Sequence, residues 1–247
     1  MRIKYKHPYW VKYSWDLSEH HDNQYVTIFD KEKNYNIYDF QHKEKFIITT
    51  NFTIKEKYKI DKICMIYGKP GKNMGLSYNS ETNDVAWEFW IKKDNGEDEF
   101  KYIHFKDVEK KDVENGVTLS VIRKLNKFIL YKNFVEVNEL TFEGQLIEDY
   151  RSEGLYIGCS SPDCGLKEQR YYGEMDLNHF SILMKTSDIN DAKDLYHSEL
   201  TNLVEKYYYE DLICLYDFET INNQQIVFDE SKKIKMEMVF QTTKNNY

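Results

Sequence analysis

The chain has 247 residues, 16% of them aromatic, and a formal net charge of −8 at pH 7. That length suits one large β domain or two small ones, with a core that needs no disulfide or metal staple, and a composition of 21 Tyr, 14 Phe and only three Pro favours pleated sheet. Lys and Arg are dispersed, which excludes the clustered positive charge of a nucleic-acid footprint, and no apolar run approaches the length of a membrane span.

In chain order, Met1–Pro8 carries basic residues with no apolar stretch behind them, so it is not a secretory signal. The expected compartment is intracellular, or a particle assembled inside a cell. Tyr9–Trp15 alternates and reads as an edge strand or an arm that docks on a partner; Trp and Tyr commonly anchor interfaces. His20-His21-Asp22 reads as loop, because adjacent histidines on a strand point opposite ways. Phe46–Ile54 alternates with Phe46, Ile48, Phe52 and Ile54 on one side and Thr49, Asn51 and Thr53 on the other, predicting a strand with one buried face. Ile60–Tyr67 is a second strand, ended by the turn residues Gly68-Lys69-Pro70-Gly71. Met74–Tyr78 and Val85–Ile91 follow, separated by Asn79–Asp84, and Phe100–Phe105 follows the turn Asp94-Asn95-Gly96.

Glu109-Lys110-Lys111-Asp112 reads as a solvated loop. Val117–Val121, Lys127–Tyr131, Gly154–Gly158 and Tyr171–Ile182 are further strands. Ser187-Asp188 predicts a cap for an amphipathic helix, or two short ones, carrying Ile189, Ala192, Leu195, Tyr196, Leu200, Leu203, Val204 and Tyr207. Leu212–Phe218, Ile226–Phe228 and Ile234–Phe240 return to strand. Short strands at near-regular spacing signal a sandwich or barrel. Cys64 and Cys214 sit in apolar runs as core hydrophobes; Cys159 and Cys164 flank a loop that would close as a local disulfide only in an oxidising compartment, and no zinc spacing is present.

An ordered set of short motifs resembles laminin-G-like domains of the concanavalin A-like superfamily. Leu130-Tyr131-Lys132-Asn133 is similar to the Tyr-x-Asn-Gly turn of those domains, Leu155-Tyr156-Ile157-Gly158 to their "Leu-Tyr-Ile-Gly" strand, Tyr172-Gly173-Glu174-Met175-Asp176 to their "Gly-Glu-Ile-Asp" strand, and Asp194-Leu195-Tyr196 to the end of the helix behind it. Phe134 stands where a Gly is expected, so that turn is expected to differ. Leu215-Tyr216-Asp217-Phe218 with Asp229-Glu230-Ser231 resembles the opening of such domains, displaced to the C-terminus, while Ile37-Tyr38-Asp39-Phe40 could fill the usual opening position. The resemblance implies a mainly β, antiparallel jelly-roll β-sandwich of the concanavalin A-like type, with one or two helices near residues 188–208. One domain over 1–247 is expected: a laminin-G-like core at 45–197, N-terminal strands or an arm at 1–44, and C-terminal strands at 209–247 completing the sandwich. Exposure of so apolar a segment as Leu212–Phe218 would be unfavourable.

The same fold is shared by family 16 glycoside hydrolases, whose Glu-x-Asp-x-(x)-Glu strand projects its acids into one cleft. Glu174 and Asp176 match, but the next candidate positions are Asn178 and His179. A retaining mechanism needs two carboxyl groups about 5 Å apart, so the second essential acid is missing, and Glu174 and Asp176 are read as fold markers without a catalytic role. A calcium site would draw on the loop acids Asp84, Asp163 and Asp229, but no dense set of six to eight oxygens is visible; no cofactor or metal is expected. A sugar site is expected on Val85–Ile91: Val85, Trp87, Phe89 and Ile91 share a core face, and Ala86, Glu88 and Trp90 share the other, with Tyr78 and Tyr102 from neighbouring strands joining them. The competing reading has Trp90 covered by the helix or the N-terminal segment. The first function expected is thus a non-catalytic carbohydrate-binding or adhesion module with a glycan partner. The alternative is a structural or accessory subunit of a larger protein assembly or virion with a protein partner, and a family 16-type hydrolase stands third.

Overall fold

A computed structural model describes residues 10–11, 26–28, 44–56, 62–68, 74–147, 155–157, 175–184, 188–197 and 212–217. The elements in chain order are β1 (Trp10–Val11), β2 (Val26–Ile28), β3 (Lys45–Thr53), β4 (Ile63–Gly68), β5 (Gly75–Asn79), β6 (Asp84–Lys92), β7 (Asp98–His104), α1 (Lys110–Asn115), β8 (Val117–Lys124), β9 (Lys127–Lys132), β10 (Val135–Thr141), β11 (Gln145–Leu146), β12 (Leu155–Ile157), β13 (Met175–Met184), α2 (Ile189–His197) and β14 (Leu212–Asp217). They form two sheets. The first runs β1-β13-β3-β8-β9-β10, with β14 also on β13; the second runs β11-β6-β5-β4-β12-β2, with β7 on β6. Every pairing is antiparallel. Leu212–Asp217 is thus a strand of the first sheet, set against β13.

The inner faces of the two sheets share one core. Phe46, Ile48 and Phe52 of β3, Val117, Leu119 and Val121 of β8, and Phe128 and Leu130 of β9 meet Leu76, Val85, Trp87, Phe89 and Ile91 from the second sheet. This is a β-sandwich, each inner face supplied by alternate residues. Phe128 joins the layers, with ring centroids 4.7 Å from Phe89 and 5.6 Å from Trp87.

Outside the first sheet lies a second apolar cluster, in which Ala192 and Leu195 of α2 join Ile47, Ile122, Ile129 and Leu183. The cap expected at Ser187-Asp188 is Asp188: its carboxylate accepts the Asn190 and Asp191 amides at 2.8 and 3.3 Å, and the Asp191 carboxylate accepts the Asp188 amide at 2.7 Å. Such reciprocal bonding satisfies donors that the first helical turn leaves open. Leu200–Tyr207 lies outside the described residues, as do Ile37–Phe40, Ile226–Phe228 and Ile234–Phe240.

Three sequence expectations need correction. The polar side of β3 is not solvated: Thr49, Asn51 and Thr53 are buried like the opposite side. Hydrogen bonds make that burial tolerable. Thr49 bonds Ser120 at 2.9 Å, Asn51 donates to Thr118 at 2.8 Å, and Asn178 donates to Asn51 at 2.7 Å. Second, the Asn133-Phe134 turn keeps the geometry of an Asn-Gly turn, with φ of 50° and 66°. The unfavourable left-handed Phe134 is held by ring contacts to Tyr196 and His197 at 5.6 and 5.7 Å, and Asn133 accepts the Thr118 amide at 3.2 Å.

Third, Lys110–Asn115 is a helical turn and not a loop. Asp112 accepts the Glu109 amide at 2.8 Å and the Lys132 ammonium at 2.6 Å, with both side chains about one-fifth exposed. Burial alone would raise the Asp112 carboxyl, but the hydrogen bonds from Lys132 and Glu109 and the charges of Lys132 and Lys111 hold it below the usual value. A depressed acid stabilises the fold above its unfolded value, about 3.9, and that stability is lost as pH falls through the folded value. Asp112→Asn is therefore expected to cost about 1–2 kcal/mol near neutral pH. In urea unfolding the gap from the parent should close as pH drops below about 3.9.

Among the described residues no helix is long and apolar enough to cross a membrane.

Candidate functional site

The candidate site is the outer face of the second sheet, built by two hairpins. The β6–β7 pairing sets Glu88 opposite Tyr102 and Trp90 opposite Phe100, with Ala86 opposite His104. Side chains of directly opposed residues share a face. Trp90, Phe100, Tyr102 and His104 therefore form a continuous ridge. Successive centroid distances are 5.3 Å for Trp90–Phe100, 6.2 Å for Phe100–Tyr102 and 5.1 Å for Tyr102–His104. Phe100 and Tyr102 are 43% and 56% exposed, unusually open for large rings, while Trp90 is half-buried.

Glu88 sits beside this ridge, half-buried. Gly75 and Ser77 of β5 lie on its other side. Gly75 brings no side chain of its own; the Met65 methyl fills the place, 2.3 Å from where a Cβ would stand. The Ser77 hydroxyl donates a short hydrogen bond to Glu88 Oε1. Burial pushes the Glu88 carboxyl up, against the lowering effects of the Ser77 bond and of His104. Such a carboxylate is poorly solvated and can accept a further donor at its second oxygen.

The far wall is β11, whose Leu146 pairs with Ile91, and the Ile147 amide donates to the Trp90 carbonyl at 2.9 Å. Gly144 makes this approach possible. Its φ is +99°, and a Cβ there would stand 2.4 Å from the Lys92 carbonyl oxygen, a backbone atom that cannot step aside. Gly144→Ala is expected to cost about 2–3 kcal/mol, read as a lowered thermal midpoint, and to loosen the strand beside Trp90.

Of the residues expected at the sugar site, Trp90, Glu88 and Tyr102 come together. Tyr78 does not: it pairs with Val85, falls in the core, and sends its hydroxyl to Asn83 at 3.0 Å. The loop between β5 and β6 has an even number of residues, Ser80–Asn83, so even-numbered residues of β5 face odd-numbered core residues of β6. Phe100, Ser77 and His104 belong to the site and were not anticipated; the two-residue alternation of Phe100, Tyr102 and His104 was the available signal.

The described acid-strand positions, Asp176, Asn178 and His179, lie on the other sheet. Glu174 is outside the described residues. Asp176 stands between Trp10 and Thr53 in register. The positions where a third acid was sought are occupied by hydrogen-bonded groups: Asn178 on Asn51 at 2.7 Å, and His179 Nε2 with the Ser181 hydroxyl at 2.9 Å. Among the described residues no three His, Cys, Asp or Glu side chains converge as a metal site. Asp84 is exposed, and Asp163, Asp229, Cys159, Cys164 and His20–Asp22 lie outside the described residues.

No protein-family model matches the chain, and no curated protein matches it in sequence. Solved structures do resemble it. A protein from Bacteroides ovatus ATCC 8483, provisionally described as carbohydrate-binding, superposes with a TM-score of 0.57 at 12% identity, over 89% of this chain and 58% of that one. The binding domain of Paraclostridial Mosquitocidal Protein 1 gives 0.45 at 10% identity, over 72% and 41%. The botulinum neurotoxin serotype D binding domain gives 0.44 at 13% identity, over 71% and 42%. The chain thus spans between about two-fifths and three-fifths of these longer chains. Of the three, the first alone exceeds a TM-score of 0.5 and bears on the fold. At such identities the likeness concerns architecture alone, an antiparallel two-sheet β-sandwich of the concanavalin A-like type.

Proposed function

We propose that the chain is a non-catalytic carbohydrate-binding module whose platform is the outer face of the second sheet. One observation carries this: Trp90, Phe100 and Tyr102 form a contiguous ring surface, open to solvent at Phe100 and Tyr102, beside the half-buried acceptor Glu88. The C–H face of a pyranose stacks on such rings while a nearby carboxylate accepts its hydroxyls, the usual division of labour in a small-molecule site. The carbohydrate-binding description of the Bacteroides ovatus protein is consistent with this role. A calorimetric titration of the purified chain against a glycan panel tests it. Binding should occur to at least one pyranose oligomer with Kd in the high micromolar to millimolar range, about −4 to −5.5 kcal/mol. Absence of binding across neutral, basic and acidic oligomers would remove the proposal.

A further inference from the structure

Building on that site, we infer that the Trp90–Phe100–Tyr102 ridge with Glu88 selects sugars carrying a protonated amine over neutral ones and disfavours acidic ones. Glu88 lies across the strand from Tyr102 and two residues from Trp90, so its carboxylate and the ring surface address the same small volume. Aromatic faces attract cations through their quadrupole, and a carboxylate adds charge and hydrogen-bond acceptance. An ammonium group can satisfy both at once; a neutral hydroxyl engages only the carboxylate.

The surroundings point the same way. Ser77 is the only side chain among the described residues that donates to Glu88, and it takes Oε1, leaving Oε2 for a ligand. The Met65 methyl against Gly75 keeps that flank apolar, so charge on Glu88 is weakly screened. The other ionisable residues at outward positions on β6 and β7 are Asp84, Asp98, Lys92 and His104, with Lys92 directly opposite Asp98. These four and Glu88 sum to −2 with His104 neutral (three acids, one lysine) and to −1 with it charged, and the chain carries −8. An incoming carboxylate meets repulsion here and an incoming ammonium meets attraction.

The test compares three probes by titration calorimetry at about pH 6, where sugar amines are charged: a glucosamine tetramer, the matching N-acetylglucosamine tetramer, which has the same backbone without the charge, and a sialylated lactose. Tighter binding of the amine-bearing tetramer by about ten-fold, about 1.4 kcal/mol, is the expected result. Raising salt to roughly 0.5 M should shrink the margin, a measurement that needs no variant. Glu88→Gln, which keeps the shape, should bring the two tetramers to within about two-fold of each other. Equal or tighter binding of the N-acetylated tetramer, preferred binding of the sialylated sugar, or a margin untouched by Glu88→Gln would overturn the inference while leaving a glycan-binding module in place. Failure of all three probes, together with the wider panel, would strike the underlying function as well. Capture of lysine-rich peptides in preference to every sugar would overturn the inference in favour of a protein ligand.

Discussion

Phe128→Ala is expected to destabilise the chain by about 3–5 kcal/mol, a large fraction of the about 5–15 kcal/mol that holds a domain together. Phe128 has no exposed surface, and its ring meets Phe46, Trp87, Phe89 and Phe142 at centroid distances of 6.3, 5.6, 4.7 and 5.4 Å. It belongs to β9 in the first sheet, while Trp87 and Phe89 belong to β6 in the second, so truncation removes apolar burial and leaves a void between layers. Close packing makes such a void costly beyond the lost transfer energy. Phe142 also stacks on Phe128 and leads into β11, so the loss should be felt at the wall beside Trp90. Urea unfolding measures it: the midpoint should fall with the slope unchanged. Phe128→Leu, which fills most of the space, should cost about 1–1.5 kcal/mol. Equal losses for the two variants would mean that the ring contacts, and not the volume, hold the layers together.

Trp90→Ala is expected to weaken binding of the tightest sugar on the panel by about 10- to 100-fold, or 1.4–2.7 kcal/mol, with little loss of fold stability. The energetic reason is the contrast between the two tryptophans of β6. Trp87 is fully buried among Tyr67 and Phe128; Trp90, on the opposite face, rests on Phe100 and keeps a solvent-facing surface. A half-buried ring contributes less to folding, but its remaining apolar area is available to a ligand. Tyr102→Ala should show the same direction with a smaller effect, since its ring is the more exposed. Tyr78→Phe, which removes only the hydroxyl bonded to Asn83 on the core side, should leave affinity within about two-fold. An affinity loss for Tyr78→Phe as large as that for Trp90→Ala would place the binding surface elsewhere.

Particular residues show how much of this was legible beforehand. The face assignment on β6 is a direct consequence of two-residue periodicity, which separates Trp87 from Trp90 without any knowledge of neighbours. The Asp94-Asn95-Gly96 turn also makes the next step readable in retrospect: a hairpin centred on Asn95 pairs residues whose numbers sum to 190, so Trp90 meets Phe100 and Glu88 meets Tyr102. The core position of Tyr78 is not legible locally, because cross-strand pairing depends on loop parity and a turn-prone stretch such as Asn79–Asp84 does not display where the last paired residues lie. Glu109–Asp112 gives no helical signal in the sequence, because a single helical turn has too few residues to show a period; what makes Lys110–Asn115 a helix is Asp112 reaching Lys132, twenty positions away.

The sequence by itself determined the class of fold, since alternation, turn residues and the Leu155–Gly158 and Gly173–Asp176 motifs are local features carried by consecutive residues. It also determined which residues of β6 turn outward. The tertiary structure alone decided that the polar side of β3 is buried, that Phe134 can occupy a glycine's conformation, and that Ser77, Met65 and Phe100 surround Glu88 and Trp90. Each of those outcomes depends on a partner far along the chain: the Thr49–Ser120 bond, the α2 rings and the β5–β6–β7 register. Non-local pairing and burial set energies that no window of neighbouring residues contains.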